Sequence, residues 1–506
     1  MRPESGARPY PEVAALAARI ASLEGLSAIL DVGCSWTPEI AILHPKLDVV
    51  GVGQRGSEGR RPPGFPFRSY VDLDADSGAR QLARLDPARS VVMLTVPTGS
   101  LPDPARGLAA LDPFIRHAPV TIVATTTPEP VAGLLAAAKL TPSFVGQTRA
   151  SEQDEDRTAT LLVVDRSLKD AAPAPETFRV VAIMTAYNEE DVIGPCIGKL
   201  VGDGVGVYLI DNWSNDGTYA VAEQFRGRGL VGLERFPDAP TDRYEWRSLL
   251  RRVETVAAGL DADWCIHHDA DERRCGPWPG VGLRDAMWRV DQAGFSAVDH
   301  TVLNFRPTDD GYEPGGDFEA YFRGFEFGRS AGLLLQIKAW KNSGLIDLTS
   351  EGGHEARFPG RRVFPYKFEL KHYPIRSQSH GEQKIFRDRV ARWDPQERAI
   401  GWHAHYNDVR PRQSFLHSGL GLIEDLGLET RASYMPEFLA GAGLARSVPR
   451  WALGSWAGRT LYLSASRFGR SRAYAHLRRL PLLRVGVIRR TLRRLRRRLA
   501  GSGAEQ

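Results

Sequence analysis

Apolar residues in this chain gather into short runs separated by longer stretches with helical spacing. AILDVG (28–33), LDVVGVG (47–53), SVVMLTV (90–96), PVTIVATT (119–126) and TATLLVV (158–164) have strand length and are rich in β-branched residues. Ala- and Leu-rich segments such as DPARGLAALDPFI (103–115) lie between them. Continuous apolar runs alternating with helical patterns predict a mostly parallel sheet covered on both faces. PSFVGQT (142–148) and the run after it predict a closing hairpin.

KDAAPAPET (169–177) has Pro, Ala and charge without periodicity and predicts a linker. A second α/β pattern begins at once. FRVVAIMTAYNEE (178–190), VGVYLIDNWSNDGT (205–218) and DWCIHHDAD (263–271) each run from an apolar strand into a polar turn. RYEWRSLLRRVETVAAGL (243–260) predicts a helix, and Ser214 or Asp216 is placed to cap the helix opening at TYAVAEQF. The predicted organisation is an α/β domain over 1–168, the linker, a second α/β domain over 178–410 and a helical, basic region over 411–506. The fold class is therefore α/β, with two Rossmann-like domains and a basic tail.

Composition agrees with folded domains: 506 residues, 42% hydrophobic and 25% charged, are too many for one ordinary core. The net charge of +5 matters for where it sits. RVGVIRRTLRRLRRRLA (484–500) carries Arg at 484, 489, 490, 493, 494, 496, 497 and 498. Leu492, Leu495 and Leu499 are spaced as one helix face, which predicts an amphipathic surface helix for an anionic membrane. No aromatic interleaving accompanies the arginines, so nucleic acid is not the expected partner. Cys34, Cys196, Cys265 and Cys275 form no CxxC pair and match no zinc framework; reduced thiols in the cytosol are expected. The N-terminal residues lack the apolar core of a secretory signal, and no run reaches the ~18 apolar residues of a membrane span. The expected location is the cytoplasm, with peripheral contact at the inner face of the cell membrane.

Candidate chemistry collects at the strand ends of the second pattern. Glu189 follows its first strand, Asp211 ends the second, and Asp269, Asp271 and Glu272 follow the third. Ligands of open α/β sheets bind outside that edge. An Asp-x-Asp where a strand bends lets both carboxylates turn towards one hard cation. Mg²⁺ and Mn²⁺ prefer such oxygen ligands, together with substrate phosphates.

MTAYNEEDVI, LIDNWSNDGT and DWCIHHDADE, in that order, resemble family 2 glycosyltransferases of the GT-A fold. The resemblance covers residues 178–410. It implies a sugar transferred, with inversion, from a nucleotide-diphosphate donor to a glycan or lipid-linked acceptor hydroxyl. It implies that Ala186, Tyr187, Glu189 and Asp211 line the nucleoside pocket. Asp269 and Asp271 would serve Mg²⁺ or Mn²⁺ and the diphosphate. FELKHYPIRSQSHGEQKIFRDR (368–389) resembles a His-Tyr-Pro-x-Arg-Ser segment in a subset of these proteins. There His372 is a candidate metal ligand, and Arg376 and Lys384 are candidate phosphate ligands. Inversion needs a carboxylate to take the acceptor proton. TSEGGHEARF offers Glu351 and Glu355, though the usual Glu-Asp pair is missing. WHAHYND (402–408) is a candidate acceptor flank or a packing segment.

ILDVGCSWTP (29–38) resembles motif I of class I S-adenosylmethionine methyltransferases in a degenerate form. Gly33 remains, but Cys34 and Ser35 stand where more glycine is common. Gln54 stands near the position of the acidic residue that would grip the ribose. A relic domain serving structure or partner binding is expected. The alternatives are a bifunctional chain with an active methyltransferase domain and a non-catalytic nucleotide-binding scaffold. A phosphatase of the haloacid dehalogenase type also uses Asp-x-Asp. It carries that motif on its first strand with a following Thr, whereas here a later strand carries it before Glu272 and Arg273.

Overall fold

The computed structural model describes residues 11–33, 40, 46–53, 70–72, 80–96, 104–125, 135–136, 139–149, 158–168, 172–329, 332–399, 409–410 and 413–442. Gln54, Cys34, Ser35, the WHAHYND segment and the Arg-rich tail lie outside these residues.

The first apolar runs form β1 (Ala28–Val32), β2 (Asp48–Gly53), β3 (Tyr70–Asp72), β4 (Ser90–Val96), β5 (Val120–Thr125), β6 (Phe144–Arg149) and β7 (Thr158–Asp165). They build a sheet of order β3-β2-β1-β4-β5-β7-β6. Strands β3 to β5 are parallel neighbours, whereas β7 runs antiparallel to β5 and β6. The closing hairpin read from the sequence is the β6–β7 pair.

The second sheet uses β8 (Val180–Ala186), β9 (Gly206–Asp211), β10 (Leu230–Arg235), β11 (Trp264–Asp269), β12 (Glu272–Cys275), β13 (Ala297–Phe305), β14 (Gly324–Phe327), β15 (Ile337–Lys341), β16 (Phe368–His372) and β17 (Ile423–Glu424). Its main path is β10-β9-β8-β11-β15-β13-β14-β17, with β16 joining β12 to β13. The strands β10, β9, β8 and β11 are mutually parallel. Chain order runs outward from β8 to β10 and returns beside β8 at β11. The C-terminal ends of β8 and β11 therefore flank a topological switch point, where such sheets open a crevice.

Both faces of the parallel part are covered, as its continuous apolar strands require. Ala182 and Met184 pack with Cys196, Ile197, Ala286 and Met287 from the helices Ile193–Gly202 and Leu283–Gln292. Ile183 faces the other way, towards Leu249, Leu250 and Val253 of the helix Trp246–Gly259.

The two sheets share one core. Val13, Leu16 and Ile20 of helix α1 (Pro11–Leu23) lie in the same apolar cluster as Phe144, Tyr366 and Phe438. Arg19 of α1 donates from Nε to the Pro365 carbonyl at 2.7 Å. Gly146 of β6 meets the helices of 428–440 so closely that a Cβ there would lie 2.8 Å from the Ala432 oxygen. The second sheet also extends past residue 410. The β17 edge strand pairs with β14, and 428–440 cover the first sheet, so this stretch departs from the separate helical region read from the sequence. No helix among the described residues is long and apolar enough to cross a membrane.

Candidate active site

The strand ends that read as carboxylate-rich converge on the switch point. The loops after β8 and β9 interlock first. Asn188 and Trp213 adopt left-handed backbone, with φ of 56° and 59°. Asn188 N donates to Ser214 Oγ, and Asn215 N donates to Asn188 Oδ1, both at 3.0 Å. Glu189 N donates to Thr218 Oγ1 at 2.8 Å. Gly217 is the N-cap of the following helix; Asp216 Oδ1 accepts from Thr218 N at 2.9 Å just ahead of it, and Ser214 is spent on the neighbouring loop. These bonds hold Ala186, Tyr187 and Asp211 on one side of the crevice.

Asp211 is fully buried. Its Oδ2 accepts from Ser214 N at 3.1 Å, and its Oδ1 has no hydrogen-bond partner. Burial raises its pKa above the ordinary carboxylate value, against the Ser214 hydrogen bonds that lower it. The Arg392 guanidinium lies 3.7 Å from the Tyr187 ring centroid and donates to Asn212 Oδ1 at 3.2 Å. Tyr187, Asp211, Asn212 and Arg392 thus form a wall with a flat aromatic, a buried acceptor and a cation.

On the other side, β11 ends at Asp269 and the chain bends through Asp271 into β12. The β12–β16 register sets Glu272 opposite His372 and brings that imidazole to Asp271. His372 Nε2 lies 3.8 Å from Asp271 Oδ1. His372 Nδ1 lies 3.1 Å from Asn304 Oδ1. Nδ1 thus faces the Asn304 side-chain amide while Nε2 faces Asp271.

Four cations surround these acids. Lys384 Nζ lies 2.7 Å from both Asp271 Oδ2 and Glu189 Oε1. Arg376 donates to Glu189 Oε2 at 2.5 Å and to Asp191 at 2.6 and 2.8 Å. Lys338 Nζ lies 3.0 Å from Asp269 Oδ2 and 3.2 Å from Glu272 Oε1. Arg274 closes the set on Glu272 Oε2. Burial alone would raise the Asp269 and Asp271 pKa values. Lys338 overrides it at Asp269, and Lys384, His372 and Arg376 override it at Asp271, so both stay below the usual carboxylate range. His267 and His268 are fully buried, and burial pushes them down to about 4 and about 3, so they are neutral.

Each aspartate of the motif is tied to its own lysine, Asp269 to Lys338 and Asp271 to Lys384. The donor set that fits a divalent cation is Asp271 Oδ1 with His372 Nε2, and phosphate and water oxygens would complete the shell. Among the described residues, no group of three or more His, Cys, Asp or Glu is arranged around one metal position.

Glu351 and Glu355 lie on a turn that packs over β11. A Cβ on Gly353 would lie 3.2 Å from His267 Cε1, and Trp246 Nε1 donates to Gly352 O at 3.0 Å. Both glutamates carry arginine. Glu355 pairs with Arg361 at 2.6 Å and Arg357 at 3.2 Å, and Glu351 pairs with Arg357 at 2.9 Å.

Sequence reasoning missed Lys338, Asn304, Asp191 and Arg392. Lys338 had a signal, a charge set between Ile337 and Ala339 in IKAWK; Asn304 had none, because AVDHTVLNF also carries Asp299, His300 and Thr301. In the first domain, Asp31 is fully buried and Gly33 has φ of 100°.

No protein-family model matches the chain, and no curated protein does. Among solved structures, S. aureus TarS 1–349 is similar at 12% identity, covering 39% of this chain and 60% of that one, with a TM-score of 0.25. Glucosyl-3-phosphoglycerate synthase from Mycobacterium tuberculosis, in complex with phosphoglyceric acid, is similar at 20% identity, over 25% of this chain and 44% of that one, with a TM-score of 0.18. The plantazolicin methyltransferase BpumL in complex with SAH is similar at 12% identity, over 31% of this chain and 84% of that one, with a TM-score of 0.16. The chain thus spans about three-fifths of TarS 1–349 and less than half of the synthase.

Proposed function

We propose that the second domain is a glycosyltransferase that moves a sugar from a nucleoside-diphosphate donor to an acceptor hydroxyl. The observation that carries this reading is the pairing of Asp271 Oδ1 and His372 Nε2, 3.8 Å apart, beside Lys384 and Arg376 at a sheet switch point. That arrangement suits a diphosphate and a hard cation in one crevice.

The chain's residues divide the work. Tyr187 and Arg392 offer a stacking surface to a nucleobase. Asp211 Oδ1 is a buried acceptor without a donor, and an imide or amine N–H of the base satisfies it. Asp269, held by Lys338 on Oδ2, presents Oδ1, which takes only a 3.5 Å contact from Thr185 Oγ1, to the ribose hydroxyls. Lys384 and Arg376 face the diphosphate. Asp271 and His372 would hold Mg²⁺ or Mn²⁺, which supplies charge stabilisation for the departing diphosphate. The acceptor oxygen attacks the anomeric carbon as the sugar–phosphate bond breaks, and a carboxylate on the 349–355 turn takes the acceptor proton. Single displacement of this kind inverts the anomeric centre. Glu351 is the better placed base: its side chain is 28% exposed, against 11% for Glu355. Acceptors carried on a glycan or a lipid fit this chemistry, and the Arg-rich tail suits an anionic membrane surface.

The test is thermal stability with uridine, guanosine and thymidine diphosphate sugars, each with and without Mn²⁺. A shift that needs both a sugar nucleotide and Mn²⁺, and that disappears in Asp271→Asn, supports the reading. No shift with any donor overturns it. S-adenosylmethionine in the same assay separates a relic first domain, which gives no shift, from a binding one.

A further inference from the structure

The candidate site is nearly neutral although it is full of acids. Glu189, Asp191, Asp269, Asp271 and Glu272 are matched by Lys338, Lys384, Arg376 and Arg274. Leaving the imidazoles aside, one net negative charge remains. A site that binds a divalent cation unaided needs a larger surplus of ligand charge. Here a free cation approaching Asp271 meets the Lys384 ammonium, which lies 2.7 Å from the second oxygen of that same carboxylate. A nucleoside diphosphate arriving alone meets that net negative charge. Each ligand separately is opposed by charge, and the pair together is not.

Lys384 is built to change partners. It sits on a π-helical segment, Gln383–Val390, a backbone form that recurs at functional sites. Its ammonium is a point charge on a flexible stem, unlike the planar fork of Arg376, which is locked on two carboxylates. Lys338 differs again. It ties Asp269 to Glu272 within β11, β12 and β15.

We infer that Lys384 makes the binding of divalent cation and nucleoside diphosphate mutually dependent, by holding Asp271 until a phosphate oxygen takes over the lysine. This rests on the glycosyltransferase reading above and concerns how its site loads. When the diphosphate enters, Lys384 moves from Asp271 Oδ2 to phosphate, and Asp271 becomes free to take the cation. Linkage makes the effect reciprocal: each ligand tightens the other by one and the same factor.

The test measures Mn²⁺ binding by electron paramagnetic resonance on the full chain. It is done alone and with saturating uridine, guanosine or thymidine diphosphate, correcting for the Mn²⁺–nucleotide complex in solution. In the wild type, a diphosphate that binds should tighten Mn²⁺ by about tenfold or more. In Lys384→Met, Mn²⁺ alone should bind more tightly than in the wild type, the diphosphate should bind more weakly, and the mutual factor should shrink towards one. Lys384→Arg keeps the charge and should keep most of the coupling, which guards against a variant that merely misfolds. An unchanged coupling factor in Lys384→Met, weaker Mn²⁺ binding by that variant alone, or a wild type without coupling overturns the inference. If the wild type binds Mn²⁺ under no condition, the metal-dependent reading of the site fails as well, so the two failures are distinguishable.

Discussion

Arg19 of α1 and Asp299 of β13 form a buried ion pair across the seam between the two sheets, with 3.1 Å from Nη2 to Oδ2. Lys367 joins the same oxygen at 2.9 Å. Asp299 is fully buried and balances two cations. Removing it strands both charges in a low-dielectric seam. Asp299→Ala should destabilise the protein by about 3–5 kcal/mol, read as a lowered urea midpoint. Arg19→Met should cost less, because Lys367 still neutralises Asp299. Equal midpoints for Asp299→Ala and wild type would remove the seam from the account of stability.

Glu24, at the end of α1, makes the same seam sensitive to pH. Burial and, second, the Asp165 charge raise its carboxyl to about 7 against the opposing Arg362. The folded value lies above the unfolded one of 4.5. This group's stabilisation is therefore full below pH 4.5 and is lost as pH rises through about 7. Glu24→Gln should raise Tm by roughly 2 °C at pH 8 and leave it unchanged near pH 4. A gain of equal size at both pH values would disprove the titration.

Arg376 is almost fully buried and joins the two sides of the crevice by its bonds to Glu189 and Asp191. Arg376→Met leaves Asp191 without its bidentate partner and Glu189 with Lys384. A loss of about 3–5 kcal/mol is expected. Arg376→Lys restores charge but not the fork, and should recover part of the stability. Chemical denaturation of both variants checks the order.

Asp211 should show opposite signs for folding and binding. Burial opposes its charged form and its Oδ1 has no partner, so Asp211→Asn should leave the free protein as stable as wild type or more so. Nucleotide affinity should nevertheless fall by about 10–100-fold, because an amide nitrogen can face the base where an acceptor stood. Calorimetry and melting on the same sample separate the effects. Loss of stability without loss of affinity would make Asp211 a loop cap.

Glu351→Gln should slow transfer by about 10²–10⁴-fold while donor binding stays within about threefold of wild type. Glu355→Gln should mainly destabilise the turn, since Glu355 holds both Arg357 and Arg361. If Glu355→Gln alone abolishes turnover with an unchanged Tm, the base assignment reverses.

Apolar runs in order, with turns at their ends, determined the parallel part of each sheet, the β6–β7 hairpin and the edge at which carboxylates gather. Those features depend on local periodicity and connection length, which the chain carries in its own spacing. Glu189, Asp211, Asp269 and Asp271 were legible as polar residues at such ends, whereas Tyr187 and His372 entered through the family resemblance. Partner choice was not legible. Asp269 and Asp271 are two residues apart, yet Lys338, sixty-nine residues on from Asp269, takes one, and Lys384, one hundred and thirteen on from Asp271, takes the other. The role of α1 was hidden for the same reason. Its apolar face packs into the shared core, but Arg19 finds Asp299 only when both sheets are assembled. Charge pairing and burial follow distance in space, and only the folded chain sets that distance.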